Sequence, residues 1–139
     1  MYKRQTHIST LADGELLITA DTVVVYNDKI YGKPKDKTEA IEVLTMLSDN
    51  VHSVYTGVCI KTVTKQHSFT SKSQVKFSSI NEVEAAYYFD NYNPIDKAGS
   101  YGIQEWLGYT KVEWIAGSYN NIIGLPTARL YTELKKFVL

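Results

Sequence analysis

The sequence predicts an α/β domain in which helices flank a mixed, twisted sheet, and three observations lead to this expectation. Residues 16–26 form a long β-branched and apolar run, which is typical of a strand buried inside a sheet. Asp36 and Ser79 each stand three residues before a glutamate, which is the spacing of a capping box at a helix start. Patterns of the two kinds follow in the order strand, helix, strands, helix, strand, helix, as in α/β folds.

The first elements follow from local patterns. An irregular lead-in over residues 1–13 is expected to precede the long strand. The polar stretch 27–29 has turn chemistry, and residues 30–31 return as a short strand. Asp36 is then expected to cap a helix whose apolar residues recur at helical spacing, until the polar stretch 48–50 ends it.

The second half is predicted from the same kinds of signal: β-branched runs, a second capping box, clusters of Asn, Pro, Asp and Gly, and a proline suited to a first helical turn. The predicted elements are a strand over 51–64, a returning strand over 68–77, a helix from 79 to about 89, a loop over 91–102, a strand over 111–116, a loop over 117–124 and a helix from 126 to about 137. A length of 139 residues fits a single domain.

Composition narrows the classes of function. Fifteen basic residues balance fifteen acidic ones, so the net charge gives no general attraction to nucleic acid or to a membrane surface. No stretch approaches the roughly 20 apolar residues of a membrane span, and no signal peptide is recognisable, so a cytoplasmic location is expected. Cys59 stands in an apolar run and is interpreted as a buried hydrophobic residue. His7, His52 and His67 lack metal spacing and are interpreted as structural or solvent-facing.

The strongest single candidate for chemistry is Asp21. It interrupts a β-branched run, where a carboxylate has to be paired, coordinated to a metal, or placed at the functional end of the strand. A carboxylate in such a place can hold Mg²⁺ or orient a water nucleophile. The alternative from spacing alone is an aspartate that caps a bulge or a turn.

Two further segments are suited to a nucleotide. Lys33 stands between a glycine and a proline, and its mobile charge suits phosphate, although a solvated surface lysine has the same pattern. Residues 96–104 include Lys97, two glycines three apart that let backbone N–H groups face an anion, and Gln104, whose amide can pair with a nucleobase edge. The alternative is an ordinary glycine loop with a surface ion pair. Residues 117–121 are similar in type and weaker, and also fit a polar connection.

Taken in order, these segments resemble the Maf family, and the resemblance covers nearly everything from Gly14 onward. The matching segments are residues 20–24 (Ala-Asp-Thr-Val-Val), 32–34 (Gly-Lys-Pro), 39–48, 52–58, 96–104 (Asp-Lys-Ala-Gly-Ser-Tyr-Gly-Ile-Gln), 117–119 and 124–126. Several motifs in register are more specific than any one of them. The resemblance implies the Maf/Ham1 (ITPase-like) architecture.

The resemblance also implies an activity. Such enzymes are metal-dependent pyrophosphatases that cut a nucleoside triphosphate between its α and β phosphates, and the Tyr-Gly-Ile-Gln ending resembles the branch that acts on dTTP and UTP. By match to the family motif, Asp21 is the proton acceptor and ligates Mg²⁺ or Mn²⁺. Thr22 and Gln104 help to select the base, and Lys33 and Lys97 contact phosphate. A nucleoside triphosphate is the expected partner, a homodimer is possible, and neither nucleic acid nor membrane is expected.

One departure from the family pattern concerns the N-terminus. The family opens with a strand and a loop of Ser-Pro-Arg-Arg type whose arginines bind the phosphates, and nothing similar precedes Asp21. The chain is therefore expected to lack the first strand and helix of the architecture, and to be far less active than a full-length relative. The alternative function is a non-catalytic remnant that binds nucleotide weakly, or that acts through protein contacts in septum formation or cell shape.

Overall fold

Five strands and five α-helices make up the part of the chain that the computed structural model describes, which is residues 11–139. The elements are β1 (Leu17–Tyr26), β2 (Lys29–Tyr31), α1 (Lys37–Leu47), β3 (Val51–Lys61), β4 (Gln66–Phe77), α2 (Glu82–Tyr92), two 3-10 turns (Pro94–Asp96 and Ala98–Ser100), α3 (Trp106–Lys111), β5 (Val112–Ala116), α4 (Tyr119–Ile123) and α5 (Thr127–Val138). Of the lead-in predicted over residues 1–13, residues 1–10, with His7, lie outside the described residues.

The strands form one sheet in the order β2-β1-β3-β4-β5. The α/β class with flanking helices is confirmed. Every pairing among residues 11–139 is antiparallel, so the parallel pair that distinguishes a mixed sheet does not occur in this part of the chain. Short reversals account for two of the four pairings in residues 11–139. Asn27 and Asp28 join β1 to β2 with both residues at positive φ, as in a tight hairpin turn, and four residues join β3 to β4.

The start of α1 is confirmed, and the predicted cap of α2 is wrong. The Asp36 side chain accepts a 2.8 Å hydrogen bond from the Glu39 N–H, as the capping pattern predicts. In α2 the cap is Asn81, which accepts a 2.8 Å hydrogen bond from the Glu84 N–H, and not Ser79. The reason is that Ile80 is buried with the core, which makes the residues before Asn81 part of the β4–α2 connection.

Two short helices were missed: α3 lies almost wholly in residues 103–110, for which no element was predicted, and α4 lies in the stretch 117–124, which was predicted as a loop. α3 has six residues and α4 has five, which is too short for a 3.6-residue periodicity to be visible in a sequence. β3 ends at Lys61, three residues earlier than predicted, and β4 begins two residues earlier than predicted, at Gln66. None of the helices in residues 11–139 is long and apolar enough to cross a membrane.

A polar row divides the hydrophobic core into two clusters. Val24 and Val54 belong to a cluster packed with α1 and α2, whereas Val58 belongs to a second cluster packed with Leu130 of α5. Between the clusters, Thr22 of β1 lies opposite Thr56 of β3, which in turn lies opposite Ser71 of β4. Hydroxyl side chains thus cross three strands at the middle of the sheet, and the candidate site forms at the β1 end of this row.

Candidate active site

A cleft of about 220 Å³ opens beside the β1 end of the polar row. Its walls come from β1, from the segment that follows β2, from the loop between α2 and α3, and from the end of α4. The sequence predicted five site residues, and all five line this one cleft: Asp21, Thr22, Lys33, Lys97 and Gln104. The fold therefore brings together segments that are far apart in the sequence, although it does not test their individual roles.

Asp21 lies at the open edge of β1 with an exposed side chain. Strand alternation directs it to the sheet face opposite that of Thr22, where its partner on β3 is Gly57. A Cβ added at Gly57 would meet no atom of residues 11–139 within 4 Å, so β3 leaves the space beside Asp21 open. β2 pairs only with Val24 to Tyr26, so no described strand covers the outer edge of β1 at Asp21. The cleft reaches Asp21 around this edge.

The carboxylate of Asp21 makes no hydrogen bond or ion pair with any residue in the range 11–139. The pairing of β1 with β3 runs without a register shift from Leu17 to Val25, so the alternative that Asp21 caps a bulge or a turn is wrong. An unpaired carboxylate on a rigid strand, open to a cleft, is suited to hold a hard cation or to orient water.

Thr22 ties the floor of the cleft to one of its walls. Its Oγ1 lies 2.9 Å from Thr56 Oγ1 and 3.4 Å from the Gly124 carbonyl oxygen, to which it is placed to donate. Thr56 Oγ1 lies 3.2 Å from the carbonyl of Asn121. Because each hydroxyl carries one proton, at most two of these three contacts are hydrogen bonds at one time. These contacts connect β1, β3 and the end of α4. The role of Thr22 in base selection stays a prediction.

The residue that anchors α4 is Asn121, which is fully buried. The two N–H bonds of its side-chain amide are shared among three acceptors, the Val54 carbonyl at 3.2 Å, the Ser71 carbonyl at 3.3 Å and Ser73 Oγ at 3.1 Å. Two of these acceptors are carbonyls, which fixes the orientation of the amide. Ser118 caps the helix by accepting from the Asn121 N–H at 3.1 Å. A five-residue helix is stable here because it is bonded to the sheet.

The loop that carries Lys97 is seated closely on β1. Gly99 has φ +69°, and a Cβ at this position would lie 2.5 Å from Val24 Cγ2, so both the backbone conformation and the space require glycine. The Gly99 N–H also donates to the Gly32 carbonyl at 3.1 Å, which joins this loop to the segment that carries Lys33. Lys33 and Lys97 are thereby held on neighbouring parts of the cleft wall.

The two lysines differ in their partners. Lys33 is exposed and makes no ion pair with the described residues. Lys97 Nζ lies 3.2 Å from Asp96 Oδ1 and 3.9 Å from Glu105 Oε1. The hydrogen bond from Lys97 lowers the pKa of the Asp96 carboxyl, which therefore stays ionised at neutral pH.

Gln104 lies at the exposed rim of the cleft, and its side-chain amide has no hydrogen bond to another residue within 11–139. Both its donor and its acceptor are therefore available to a ligand. The position of Gln104 and its available amide fit the predicted contact with a base. The choice of base stays a prediction.

The charged side chains that line the cleft balance each other, with two aspartates and two lysines among the described residues. The only arginine in the same range, Arg129, donates to the Thr70 carbonyl and stacks over the Phe69 ring, so it serves α5. No three potential metal ligands cluster within residues 11–139. Mg²⁺ is commonly held by one or two carboxylates together with substrate phosphates and water, so Asp21 alone fits that manner of binding.

Behind the cleft wall, His52 is structural, as the sequence predicts. It is buried, its Nε2 lies 2.7 Å from the Tyr101 hydroxyl, and burial lowers its pKa to about 4. The ring is therefore neutral at pH 7 and supports Tyr101, a residue of the cleft wall. His67 forms a 2.8 Å contact with Glu133 of α5, far from the cleft.

The family model described as "Maf-like protein" matches residues 2–137. The chain belongs to the Maf family. A relative named dTTP/UTP pyrophosphatase from Bacteroides thetaiotaomicron is 51% identical over 134 residues, which cover 96% of this chain and 69% of the relative. A second, of the same name, from Parabacteroides distasonis is 52% identical over 135 residues, which cover 97% of this chain and 70% of the relative. The family resemblance inferred from the motifs is thus confirmed.

Two residues of this Maf site were not found from the sequence. Asn121 falls in the segment 117–121, which was recognised as polar, but no local signal showed that its amide is buried between α4 and two strands. Glu105, beside Gln104, contacts Lys97, and nothing in the spacing of a lone glutamate indicates that contact.

Proposed function

We propose that this chain hydrolyses dTTP and UTP to the monophosphate and pyrophosphate with the help of a divalent cation at Asp21. The observation that carries the proposal is that the five motif residues line one cleft, in a chain about half identical to relatives named dTTP/UTP pyrophosphatase. Removal of unwanted or modified pyrimidine nucleotides, before they are incorporated into nucleic acid, is the biological role that this reaction would serve.

Asp21 has two tasks in this proposal, which are to hold the cation and to accept a proton from the attacking water. Its position on a continuous strand fixes the carboxylate, and no residue in the range 11–139 occupies either of its oxygens. When bound, Mg²⁺ or Mn²⁺ neutralises phosphate charge and acts as a Lewis acid. General base catalysis by a positioned carboxylate contributes typically about 10²- to 10⁴-fold to the rate.

Charge explains why the reaction needs a cation. A triphosphate brings several negative charges into a cleft whose lining aspartates and lysines cancel within residues 11–139. Lys33, which makes no ion pair with the described residues, is placed to contact the phosphates directly, and Lys97 is placed to do so from the neighbouring loop. Two lysines do not compensate a polyphosphate in the presence of Asp21 and Asp96, and a divalent cation supplies the difference.

Base recognition is assigned to Gln104 and to the wall that includes Thr22. The free amide of Gln104 offers one donor and one acceptor, which match the carbonyl and N–H groups on the edge of uracil or thymine. Thr22 contributes by fixing Gly124 opposite β1, since its hydroxyl bonds are made within the protein.

The test is pyrophosphate release from dTTP and UTP with Mg²⁺ or Mn²⁺, with EDTA as the metal-free control. Asp21→Asn, which keeps the size of the side chain, is expected to lower kcat on the order of 100-fold or more. Asp28→Asn is the matched control, because Asp28 lies in the exposed β1–β2 turn outside the cleft. Wild-type turnover in Asp21→Asn, or release of orthophosphate in place of pyrophosphate, contradicts the proposal. UTP binding without turnover in the wild type favours the non-catalytic alternative.

A homodimer is proposed on the family resemblance, and the cytoplasmic location expected from the sequence is kept as a proposal. Sedimentation equilibrium tests the first at several protein concentrations, and a monomer throughout contradicts it. Fractionation of cells tests the second.

A further inference from the structure

Glu105 follows Gln104 directly, does not itself line the cleft, and has a side chain that is only 20% exposed. A single carboxylate oxygen, Oε1, makes its main contacts. It accepts a 2.9 Å hydrogen bond from the Tyr88 hydroxyl and lies 3.9 Å from Lys97 Nζ. A Cβ at Gly102 would lie 2.4 Å from this oxygen, so it occupies the space above the Gly102 backbone.

Tyr88 fixes the position of that oxygen. The tyrosine is fully buried, and its hydroxyl accepts a 2.9 Å hydrogen bond from the Gly102 N–H. The single hydroxyl proton is therefore directed to Glu105. Burial raises the pKa of the Tyr88 hydroxyl, so it remains a donor over the working pH range.

The same contacts close the turn that carries Gln104. The Glu105 N–H donates to the Gly102 carbonyl at 3.1 Å, while Tyr88 bridges the Gly102 N–H to the Glu105 carboxylate. Backbone and side chain together make Glu105 part of a rigid turn attached to α2. Its carboxylate thus has a fixed place beside Lys97.

The other partner of Lys97 lacks such support. Asp96 is adjacent in the chain, its side chain is 70% exposed, and its further hydrogen bond within residues 11–139 is to its own backbone. An exposed pair of this kind contributes little to the ordering of a lysine. Of the two described carboxylates that contact Lys97, Glu105 is the one fixed by a buried group.

We propose that Glu105 is a positioning residue that holds Lys97 in the orientation in which it contacts the phosphates of the nucleotide. The inference rests on the proposed function, because it takes the phosphates as the ligand of Lys97. It predicts that removing the charge of Glu105 weakens phosphate binding only while Lys97 is present.

The experiment is a double-mutant cycle of Glu105→Gln and Lys97→Met, with pyrophosphate binding measured by calorimetry in Mg²⁺ and with steady-state kinetics on UTP. Glutamine keeps an oxygen acceptor for the Tyr88 hydroxyl, so the fold is preserved, and an unchanged melting temperature checks this. Glu113→Gln is the matched control, since Glu113 is exposed on β5 outside the cleft.

We expect Glu105→Gln to weaken pyrophosphate binding and to raise KM for UTP about fivefold, with kcat changed less than twofold, as for a lost ground-state contact. In the Lys97→Met background the same substitution is expected to have no effect. The inference is overturned if Glu105→Gln weakens pyrophosphate binding equally in both backgrounds, or if Glu105→Gln binds pyrophosphate as the wild type does. In either case the proposed function stands as long as the wild type hydrolyses UTP. A wild type that neither binds pyrophosphate nor hydrolyses UTP overturns both.

Discussion

Replacement of Asn121 by alanine tests whether one buried amide holds the α4 wall of the cleft. The substitution removes the two N–H donors that this amide shares among two strand carbonyls and Ser73 Oγ. At about 1 kcal/mol for each N–H group, these bonds account for about 2 kcal/mol of unfolding free energy. The cavity left behind costs about 1 kcal/mol more. The expected loss is therefore about 3 kcal/mol.

Urea denaturation at pH 7.5 measures this loss. Because the free energy of unfolding falls by roughly 2 kcal/mol per molar urea, the urea midpoint is expected to fall by about 1.5 M. Asn120→Ala provides the matched control, because the neighbouring Asn120 is exposed and only donates to Thr127 Oγ1 at 2.9 Å. That variant is expected to lose less than about 1 kcal/mol.

The same variant tests the link between α4 and the cleft. The Asn121 carbonyl lies against the Thr56 hydroxyl, and the Gly124 carbonyl faces Thr22. A displaced α4 therefore disturbs both the wall and the floor of the cleft. We expect KM for UTP to rise about tenfold in Asn121→Ala. Equal midpoints for Asn121→Ala and Asn120→Ala would refute the reasoning, since the buried amide would then contribute no more than an exposed one.

Two further predictions concern stability. Burial lowers the pKa of His52 from 6.5 to about 4. As the pH falls below 6.5, the unfolded chain therefore takes up a proton at His52 before the folded chain does. The free energy of unfolding is expected to fall by up to about 3 kcal/mol between pH 6.5 and pH 4. Urea midpoints at pH 7.5 and 4.5 measure this, and an equal drop in His52→Gln would contradict the assignment to His52. Gly99→Ala is expected to lower the free energy of unfolding by about 3 kcal/mol, because position 99 has a positive φ and its Cβ would lie 2.5 Å from Val24. Gly32→Ala is the control for the same urea titration. Its Cβ would meet no described atom within 4 Å, so its stability should change little.

The parts of the fold that the sequence predicted are those with local signals. The run that became β1 and the Asp36 cap of α1 depend on neighbouring residues only, and both were located to within one residue. The antiparallel arrangement depends on pairings between distant segments, and the cap of α2 depends on the burial of Ile80 in the core. Neither is visible from spacing within one segment.

The same distinction holds for the site. Asp21 was found because a carboxylate conflicts with an apolar strand, and Lys33, Lys97 and Gln104 because they stand in recognisable motifs. Asn121 acts through partners on two strands, so its burial becomes evident only in the folded chain. The open edge of β1 beside Asp21 is likewise a property of the sheet and of the reach of β2.

The most direct test of the proposed chemistry is the position of the cation. A crystal of the chain with Mn²⁺ and a UTP analogue that has an imido bridge between the α and β phosphates allows the metal to be located by anomalous scattering. The account predicts a peak within about 2.2 Å of an Asp21 carboxylate oxygen, shared with the phosphates. A cation held elsewhere, with Asp21 turned away from the nucleotide, would contradict it.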